Sequence, residues 1–282
     1  MKRLFNIVAI ALATIVALAS CDKIENDDYL IFSGSTGTWY DGFGVEDHTQ
    51  RVFVEKYTGV RCANCPDMET KISNFQNTDG DRIVAVSIHA GGMANPYTGY
   101  EDLRTTVGED WNNFFGISEY PSAMLNRSKN GGVFDIYGLG NIESGIDMAL
   151  TNTDTKIAMS MDLNYDAQNR TATITSNIEF LQDIEEGLTL TLLIMEDGII
   201  GKQSTSEGVI DNYVFNHVFR NTITDLWGMD VDADGKTGTC RLVELSYTVP
   251  AEYVAENCHI VGFISNKDTK EIIQCAEVGV VK

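Results

Sequence analysis

Two cysteines separated by two residues, Cys62 and Cys65, have the spacing in this 282-residue sequence that most clearly permits chemistry. Pro66 follows directly, and because a proline fits only the first turn of a helix, the pair is predicted to lie where a helix begins. Thiols at this spacing can close a disulfide within one turn, and the free amide groups and dipole of a helix start stabilise a thiolate. The pattern predicts thiol–disulfide exchange, with Cys62 as the exposed nucleophile and Cys65 as the buried resolving thiol.

Three further considerations bear on this pair. Arg61 adjoins Cys62 and is expected to favour its thiolate form. A CxxC can also be half of a zinc site, but the sequence supplies neither a second such pair nor a suitably spaced histidine. The remaining alternative is a structural disulfide, in which the two cysteines only staple the start of the helix.

The segments around the pair alternate between strands and helices. A strand is predicted to begin at Val52, and apolar residues at helical spacing follow Pro66. Residues 83–88 are apolar except for one serine, which is typical of a strand buried on both faces. His89 ends this strand and is interpreted as a structural histidine, with an approach to the cysteine pair as the alternative. The further predicted elements are a helix around 109–115, a strand at 123–125 with a hairpin partner at 133–137, and a helix at 142–150.

This order of elements, with C-A-N-C-P at a strand-to-helix turn, resembles the thioredoxin fold. The resemblance implies that Pro121, in S-E-Y-P-S-A before a strand, forms a cis peptide bond facing the cysteine pair. It also implies that Glu55 is the buried acid that assists proton transfer, although its spacing is one residue off and a surface carboxylate is the alternative. The tryptophan that usually precedes such a CxxC is replaced by Arg61. Residues 51–152 are therefore expected to form an α/β thioredoxin-like domain.

After residue 155 the hydrophobic pattern changes to strict alternation. Three segments between 157 and 194, and three more between 242 and 280, alternate apolar with polar residues. Such segments with turns between them indicate antiparallel strands. Residues 155–282 are therefore expected to form an all-β, immunoglobulin-like antiparallel sandwich.

The amino terminus has the pattern of a targeting segment. Two basic residues precede an apolar run at 7–19 that is too short to span a bilayer of about 30 Å. The run ends in L-A-S-C, which resembles the lipobox of bacterial lipoproteins, and the resemblance implies a signal peptide at 1–20 and a lipid on Cys21. The acidic, Gly-rich residues 21–50 are predicted to form a tether. Their first part also resembles the acidic export signals of surface lipoproteins in Bacteroidetes.

The composition excludes two classes of protein. The chain carries 41 acidic and 20 basic residues, a formal net charge of −21, so it lacks the basic face by which a protein neutralises nucleic-acid phosphates. Apolar residues make up 43% of the chain, which is enough to form a hydrophobic core and excludes a disordered chain. We expect a folded protein that does not bind nucleic acid.

One acidic turn is a candidate cation site. Asp230, Asp232 and Asp234 match the opening D-x-D-x-D-G of a calcium loop. Arg241 stands where the bidentate glutamate of such a loop belongs. Calcium is therefore weighed against an acidic surface turn.

Three cysteines remain downstream of the CxxC: Cys240, Cys258 and Cys275. Their odd number leaves at least one of them unpaired among the three, and their connectivity cannot be read from sequence. The prediction for all three is a buried free thiol.

Two segments, together with the lipobox, carry a resemblance that covers nearly the whole chain. Residues 55–66 (E-K-Y-T-G-V-R-C-A-N-C-P) and 213–220 (Y-V-F-N-H-V-F-R) are similar to segments of the Bacteroidetes family related to the 28-kilodalton outer membrane protein. The resemblance implies a lipoprotein anchored in the outer membrane through Cys21, on the periplasmic or the surface-exposed face. The expected function is thiol–disulfide oxidoreductase activity on exported client proteins. The alternative is a non-catalytic binding or structural lipoprotein whose CxxC is a structural disulfide.

Overall fold

The computed structural model describes residues 37–282; the predicted signal peptide, Cys21 and the first part of the predicted tether lie outside the described residues. The described chain is predominantly β, with mostly antiparallel strand pairs and few helices. The strands, in chain order, are β1 Thr38–Asp41, β2 Val52–Thr58, β3 Ile83–His89, β4 Ser122–Leu125, β5 Lys129–Asn130, β6 Val133–Phe134, β7 Tyr137–Gly138, β8 Ile157–Asp166, β9 Thr171–Phe180, β10 Leu188–Glu196, β11 Ile199–Thr205, β12 Gly208–Phe215, β13 Val218–Thr222, β14 Met229–Asp230, β15 Cys240–Thr248, β16 Cys258–Asn266 and β17 Ile272–Gly279. The helices are α1 Cys65–Asp79, α2 Thr106–Phe115 and α3 Ile142–Leu150, and single 3₁₀ turns lie at Gly80–Arg82, Gly92–Ala94 and Ala255–Asn257.

The ends of the helices follow from local sequence. Helix α1 begins at Cys65 with Pro66 in its first turn, where a missing amide hydrogen leaves no bond unmade. Helix α2 is capped by Thr105, whose hydroxyl accepts a hydrogen bond from the amide of Gly108 at 2.9 Å. It ends at Gly116, which has a φ of 70° and so takes the left-handed conformation that a glycine adopts without steric cost.

The larger sheet has the strand order β17-β16-β10-β13-β3-β2-β4-β7, with β14 paired to β10. Strands β2 and β3 are parallel and joined through α1, whereas β4 runs antiparallel to β2 and β7 antiparallel to β4. Because side chains alternate along a strand, β2 contributes to a different apolar core on each face. Val54 packs with Met68 of α1 and Ile146 of α3, while Phe53 packs with Trp111 of α2.

The smaller sheet, β1-β15-β9-β8, covers the other half of the larger sheet. The apolar core between them contains Ile174 of β9 and Val243 of β15 together with Leu190 of β10 and Ile260 of β16. Two antiparallel sheets therefore pack face to face in this part of the chain. Strand β1 lies within the segment predicted as a tether and pairs along β15.

The two segments that were predicted as separate domains contribute to the same larger sheet. Strand β13 lies parallel to β3, with Val218 opposite Ser87, and the Ser87 amide donates to the carbonyl of His217 at 2.7 Å. Residues 37–282 belong to one compact unit. The boundary near residue 155 is thus bridged by backbone hydrogen bonds.

Two short ribbons lie outside these sheets. Strands β5 and β6 form a small hairpin, so the pairing partner of β4 is β7 and not the whole predicted segment 133–137. Strands β11 and β12 form a longer antiparallel hairpin, residues 199–215, which we call the covering hairpin. Its side chains Ile200, Val209 and Val214 are exposed.

Candidate functional site

The two cysteines of the CxxC form a disulfide across the start of α1. Cys65 is the first residue of the helix, and the Cα atoms of Cys62 and Cys65 are 5.4 Å apart. Both residues are buried, with 4% of Cys62 and 2% of Cys65 exposed. Cys65 thus has the buried position predicted for it. The prediction that Cys62 is exposed is wrong for this disulfide-bonded state.

The covering hairpin is hydrogen-bonded to the loop that carries Cys62. The side-chain amide of Gln203 on β11 donates hydrogen bonds to the carbonyl oxygen of Cys62 at 2.9 Å and to that of Gly59 at 3.3 Å. The backbone amide of Ser204 donates to the carbonyl of Val60 at 2.8 Å. The loop that carries Cys62 is therefore held by a segment more than 130 residues further along the chain.

A small cavity of about 20 Å³ adjoins Cys65 of the disulfide. Its lining includes Lys56 of β2, Cys65 and Glu69 of α1, His89 of β3, and Gln203 of the covering hairpin. The Lys56 ammonium contacts the Glu69 carboxylate. Burial disfavours the charged form of the amine and lowers the pKa of Lys56 from its ordinary 10.5 to about 7.

His89 is a buried histidine that lines this cavity. The residue is 2% exposed, and neither ring nitrogen makes a hydrogen bond to any residue between 37 and 282. Its ring meets the ring of Phe215 of the covering hairpin edge-on, with 5.4 Å between centroids. Burial, with a smaller contribution from the charge of Lys56, lowers the pKa of His89 from 6.5 to about 3, so the imidazole is neutral at pH 7.

Pro121 and Arg61 were also predicted to lie around the disulfide. The Tyr120–Pro121 peptide bond is cis. Ser122 is the first residue of β4 and pairs with Tyr57, so Pro121 directly precedes β4 and lies beside the last residues of β2. The guanidinium of Arg61 donates to the carbonyls of Asn95 and Pro96, at 2.8 Å each.

Glu55 does not lie with the disulfide. It is fully buried, which rules out the surface carboxylate, but it projects from the face of β2 opposite to Lys56. Its carboxylate accepts two hydrogen bonds at 2.8 Å from Arg127 and one at 3.1 Å from the Tyr57 hydroxyl. The residue one position further, Lys56, faces the cysteines instead. The one-residue mismatch in the thioredoxin-type spacing was the signal that could have identified it.

The three aspartates of the predicted calcium turn are held apart by other partners. Asp230 pairs with Lys267 at 2.7 Å, and Asp232 pairs with Arg241 at 2.9 Å. Asp234 accepts a hydrogen bond from Thr239. Within residues 37–282, no group of three or more acidic, histidine or cysteine side chains is arranged to hold a metal ion.

The downstream cysteines are free thiols in the structure. Cys258 and Cys275 are buried, and burial raises the pKa of each thiol to about 12. Cys240 is partly exposed, which differs from the predicted burial. It is therefore the free cysteine among residues 37–282 that reagents reach most easily.

Sequence reasoning missed two residues of this site, Glu69 and Gln203. Glu69 follows Cys65 by four residues and so lies on the same face of a helix, a spacing that can be read from the sequence. Gln203 comes from the second half of the chain, and no local pattern indicates that it reaches the CxxC.

Comparison with protein-family models assigns the chain to a family. Residues 109–282, more than half of the sequence, match the family described as Outer membrane protein Omp28. The chain belongs to the Omp28 family. As a member of this family it is located in the outer membrane. The matched stretch begins after α1, so membership in the Omp28 family gives no information about the disulfide.

Solved structures resemble this Omp28-family chain in fold. HBP35 of Porphyromonas gingivalis has a TM-score of 0.64 and 18% identity, over 83% of this chain and 76% of that protein. Protein AGR_C_4864 from Agrobacterium tumefaciens has a TM-score of 0.50 and 14% identity, over 83% and 96% of the two chains. At these identities the likeness concerns the fold. Comparison with curated protein sequences found no match. No helix within the described residues is long and apolar enough to cross a membrane.

Proposed function

We propose that this Omp28-family protein is a lipid-anchored thiol–disulfide oxidoreductase that acts on disulfides of exported proteins. Cys62 is the nucleophile, Cys65 resolves the mixed disulfide, and a lipid on Cys21 holds the chain at the membrane. Strands β2, β3, β4 and β7 with their helices form the thioredoxin-like part in this proposal, and the remaining strands form a β-sandwich.

The arrangement of the elements around the disulfide supports a thioredoxin-like part. The strand order β3-β2-β4-β7 has β2 and β3 parallel and the last two strands antiparallel to their neighbours. Helices α1 and α3 lie on one face of these strands and α2 on the other. A cis proline precedes β4, as the resemblance implied.

The observation that carries the proposed activity is the chemistry of the cavity behind Cys65. A disulfide that only staples a helix needs no ionisable side chains beside it, and burying a lysine and an unpartnered histidine costs free energy. Lys56, Glu69 and His89 nevertheless line the same small cavity as Cys65. Groups with perturbed pKa values that cluster beside a redox-competent pair are characteristic of functional sites.

A second candidate function has one observation in its favour. Both sulfur-bearing residues are covered in the disulfide-bonded state, and the covering hairpin is hydrogen-bonded to the Cys62 loop. A non-catalytic binding lipoprotein with a structural disulfide has the same appearance. The two functions differ in how readily the disulfide is reduced.

The reduction potential of the pair distinguishes them. The protein would carry Cys21→Ser and Cys240→Ser, and mass mapping of the labelled thiols after equilibration in glutathione buffers would separate Cys62 and Cys65 from the buried Cys258 and Cys275. A potential between about −120 and −270 mV, with exchange abolished by Cys62→Ser, supports the oxidoreductase. A potential below about −300 mV identifies a structural disulfide and contradicts the proposal. The anchor is tested separately: wild-type protein sediments with membranes, and Cys21→Ser alone releases it.

A further inference from the structure

A buried lysine lies in the cavity beside the disulfide. Lys56 and Cys65 line the same cavity, and Glu69, one helical turn after Cys65, contacts the Lys56 ammonium. The Lys56 side chain is only 7% exposed. A buried thiol that has to become a thiolate reacts faster when a nearby group takes its proton.

The other titratable groups that face Lys56 are poor acceptors. His89 on β3 is neutral, and a pKa of about 3 makes it a very weak base. Burial raises the pKa of Tyr213 on β12, so its hydroxyl keeps its proton at neutral pH. On α1, the Glu69 carboxylate contacts Lys56 and lies 3.4 Å from Nδ1 of His217. Burial lowers the pKa of His217. The amine of Lys56 is the remaining candidate, and its pKa of about 7 lies close to neutral pH.

We propose that Lys56 is the proton acceptor for Cys65 when the pair closes its disulfide; this inference rests on the exchange function proposed above. The cycle starts with the Cys62 thiolate attacking a client disulfide, which forms a mixed disulfide and releases one client thiolate. Cys65 then transfers its proton to the neutral amine of Lys56. The Cys65 thiolate attacks the Cys62 sulfur, the Cys62–client bond breaks, and the second client thiolate leaves. The client gains two electrons and the protein pair loses two.

Glu69 has a defined part in this step. The proton transfer converts a neutral amine into an ammonium in a poorly solvated cavity, which is costly unless an opposite charge is adjacent. The Glu69 carboxylate contacts the ammonium that forms. Reopening of the disulfide by an external thiol runs the same transfer backwards, and the ammonium returns its proton to Cys65.

The resolving step can be observed directly with an aromatic disulfide. Reduced protein carrying Cys21→Ser and Cys240→Ser is mixed with excess 5,5′-dithiobis(2-nitrobenzoate), which releases one coloured thiolate when Cys62 is modified and a second when Cys65 resolves the adduct. Acid quenching and mass measurement follow the mixed disulfide independently. We expect Lys56→Met to slow the second release at pH 7 by about 100-fold, the size of a general-base contribution, and to accumulate the adduct.

Two further variants separate proton transfer from charge and from folding. Lys56→Arg keeps a positive charge but cannot accept a proton, so it should be as slow as Lys56→Met. If Lys56→Arg restores the rate, charge alone suffices and the inference is overturned. Lys56→Gln is measured in parallel, since a polar amide tolerates this cavity better than a thioether. The matched control is Lys71→Met, because Lys71 is also ion-paired to a glutamate, Glu143 at 2.6 Å, but lies on α1 outside the cavity.

The two proposals fail in different ways. If wild-type protein shows no first release, the exchange function fails. If the first release is normal and the second is unchanged in the Lys56 variants, only the role of Lys56 fails. The wild-type pH profile gives a test without any substitution: the second release should level off above about pH 7, and a rate that keeps rising to the range of an ordinary thiol contradicts the inference.

Discussion

The two faces of strand β2 bury charged residues in opposite ways. On one face, Glu55 makes a two-bond ion pair with Arg127, whose guanidinium lies 4.8 Å from the ring centres of both Trp111 and Phe115. The carboxylate also accepts from Tyr57. On the opposite face, Lys56 contacts a partly exposed Glu69, and His89 has no hydrogen-bond partner among residues 37–282.

The difference indicates which face serves the fold and which is suited to chemistry. A buried charge whose hydrogen-bonding groups are satisfied has little reason to change its protonation state, and it fixes the packing around it. A buried amine in a small cavity, beside a neutral imidazole and a cysteine pair, can gain or lose a proton with little rearrangement. Adjacent residues of one strand, Glu55 and Lys56, thus have different tasks.

The largest expected effect on stability concerns the face of β2 that carries the Glu55–Arg127 ion pair. Arg127→Met leaves the Glu55 carboxylate buried without its partner, so we expect the free energy of unfolding to fall by about 3–5 kcal/mol in urea titrations. The same operation on the other face, Lys56→Met, should cost less than about 2 kcal/mol, because Glu69 is 21% exposed and can be hydrated. Equal losses from the two variants would contradict the contrast between the faces.

A double variant serves as the control for this prediction. Replacing both members of the pair, as Glu55→Met with Arg127→Met, removes the unpaired charge and should recover most of the lost stability. If the double variant is as unstable as Arg127→Met, the loss comes from packing against Trp111 and Phe115 and not from the charge.

The next effect concerns the unpartnered histidine and depends on pH. Below its ordinary pKa of 6.5, His89 binds a proton in the unfolded chain but not in the folded one, because the folded pKa is about 3. Wild-type stability should therefore fall as the pH falls from 6.5 towards 3, by up to about 1.4 kcal/mol per pH unit from this residue. His89→Phe should make the profile flatter and leave stability at pH 7 within about 1 kcal/mol of wild type.

Urea unfolding at several pH values between 4 and 8 provides the measurement. His48→Gln, at an exposed position, controls for the removal of a histidine as such. If the stability of wild type and of His89→Phe depends on pH in the same way, then His89 binds a proton equally well in the folded and unfolded chains, and the prediction is wrong.

The smallest effect concerns the covering hairpin. Gln203→Ala removes side-chain hydrogen bonds to the carbonyls of Gly59, Cys62 and Ser204, so local opening of the Cys62 loop should become easier by about 1 kcal/mol. Reduction of the disulfide by dithiothreitol should accelerate about fivefold, with little change in global stability. Ser206→Ala, in the turn of the same hairpin, is the control. An unchanged rate would mean that the hairpin does not limit access.

Local pattern was sufficient for much of the fold. Pro66 marked the start of α1, the apolar run at 83–88 became the buried strand β3, and the helix predicted at 142–150 has the bounds of α3. The alternation after residue 155 corresponds to the long antiparallel strands. The parallel pairing of β13 with β3 has no local signal, because it depends on where two distant segments meet.

The features of the candidate site that depend on local sequence were predictable, and those that depend on distant contacts were not. The disulfide and its position at a helix start follow from C-A-N-C-P, and the cis bond before β4 followed from a resemblance. The assignment of Glu55 to the site failed because a one-residue shift along a strand moves a side chain to the opposite face. The hydrogen bond from Gln203 to the Cys62 carbonyl joins segments 141 residues apart, and local sequence spacing contains no information about a contact of that kind.

The pairing of β13 with β3 also affects how the chain can be divided and how it folds. A polypeptide ending near residue 152 would leave the outer edge of β3 without β13, and an unpaired apolar strand edge is a site of aggregation. Native pairing there must wait for a segment synthesised much later, which raises the contact order and slows folding. Until β13 arrives, the CxxC lies on an incomplete sheet without its covering hairpin, because that hairpin directly precedes β13 in the chain. The larger sheet and the cover over the CxxC are therefore completed together, late in the formation of the fold.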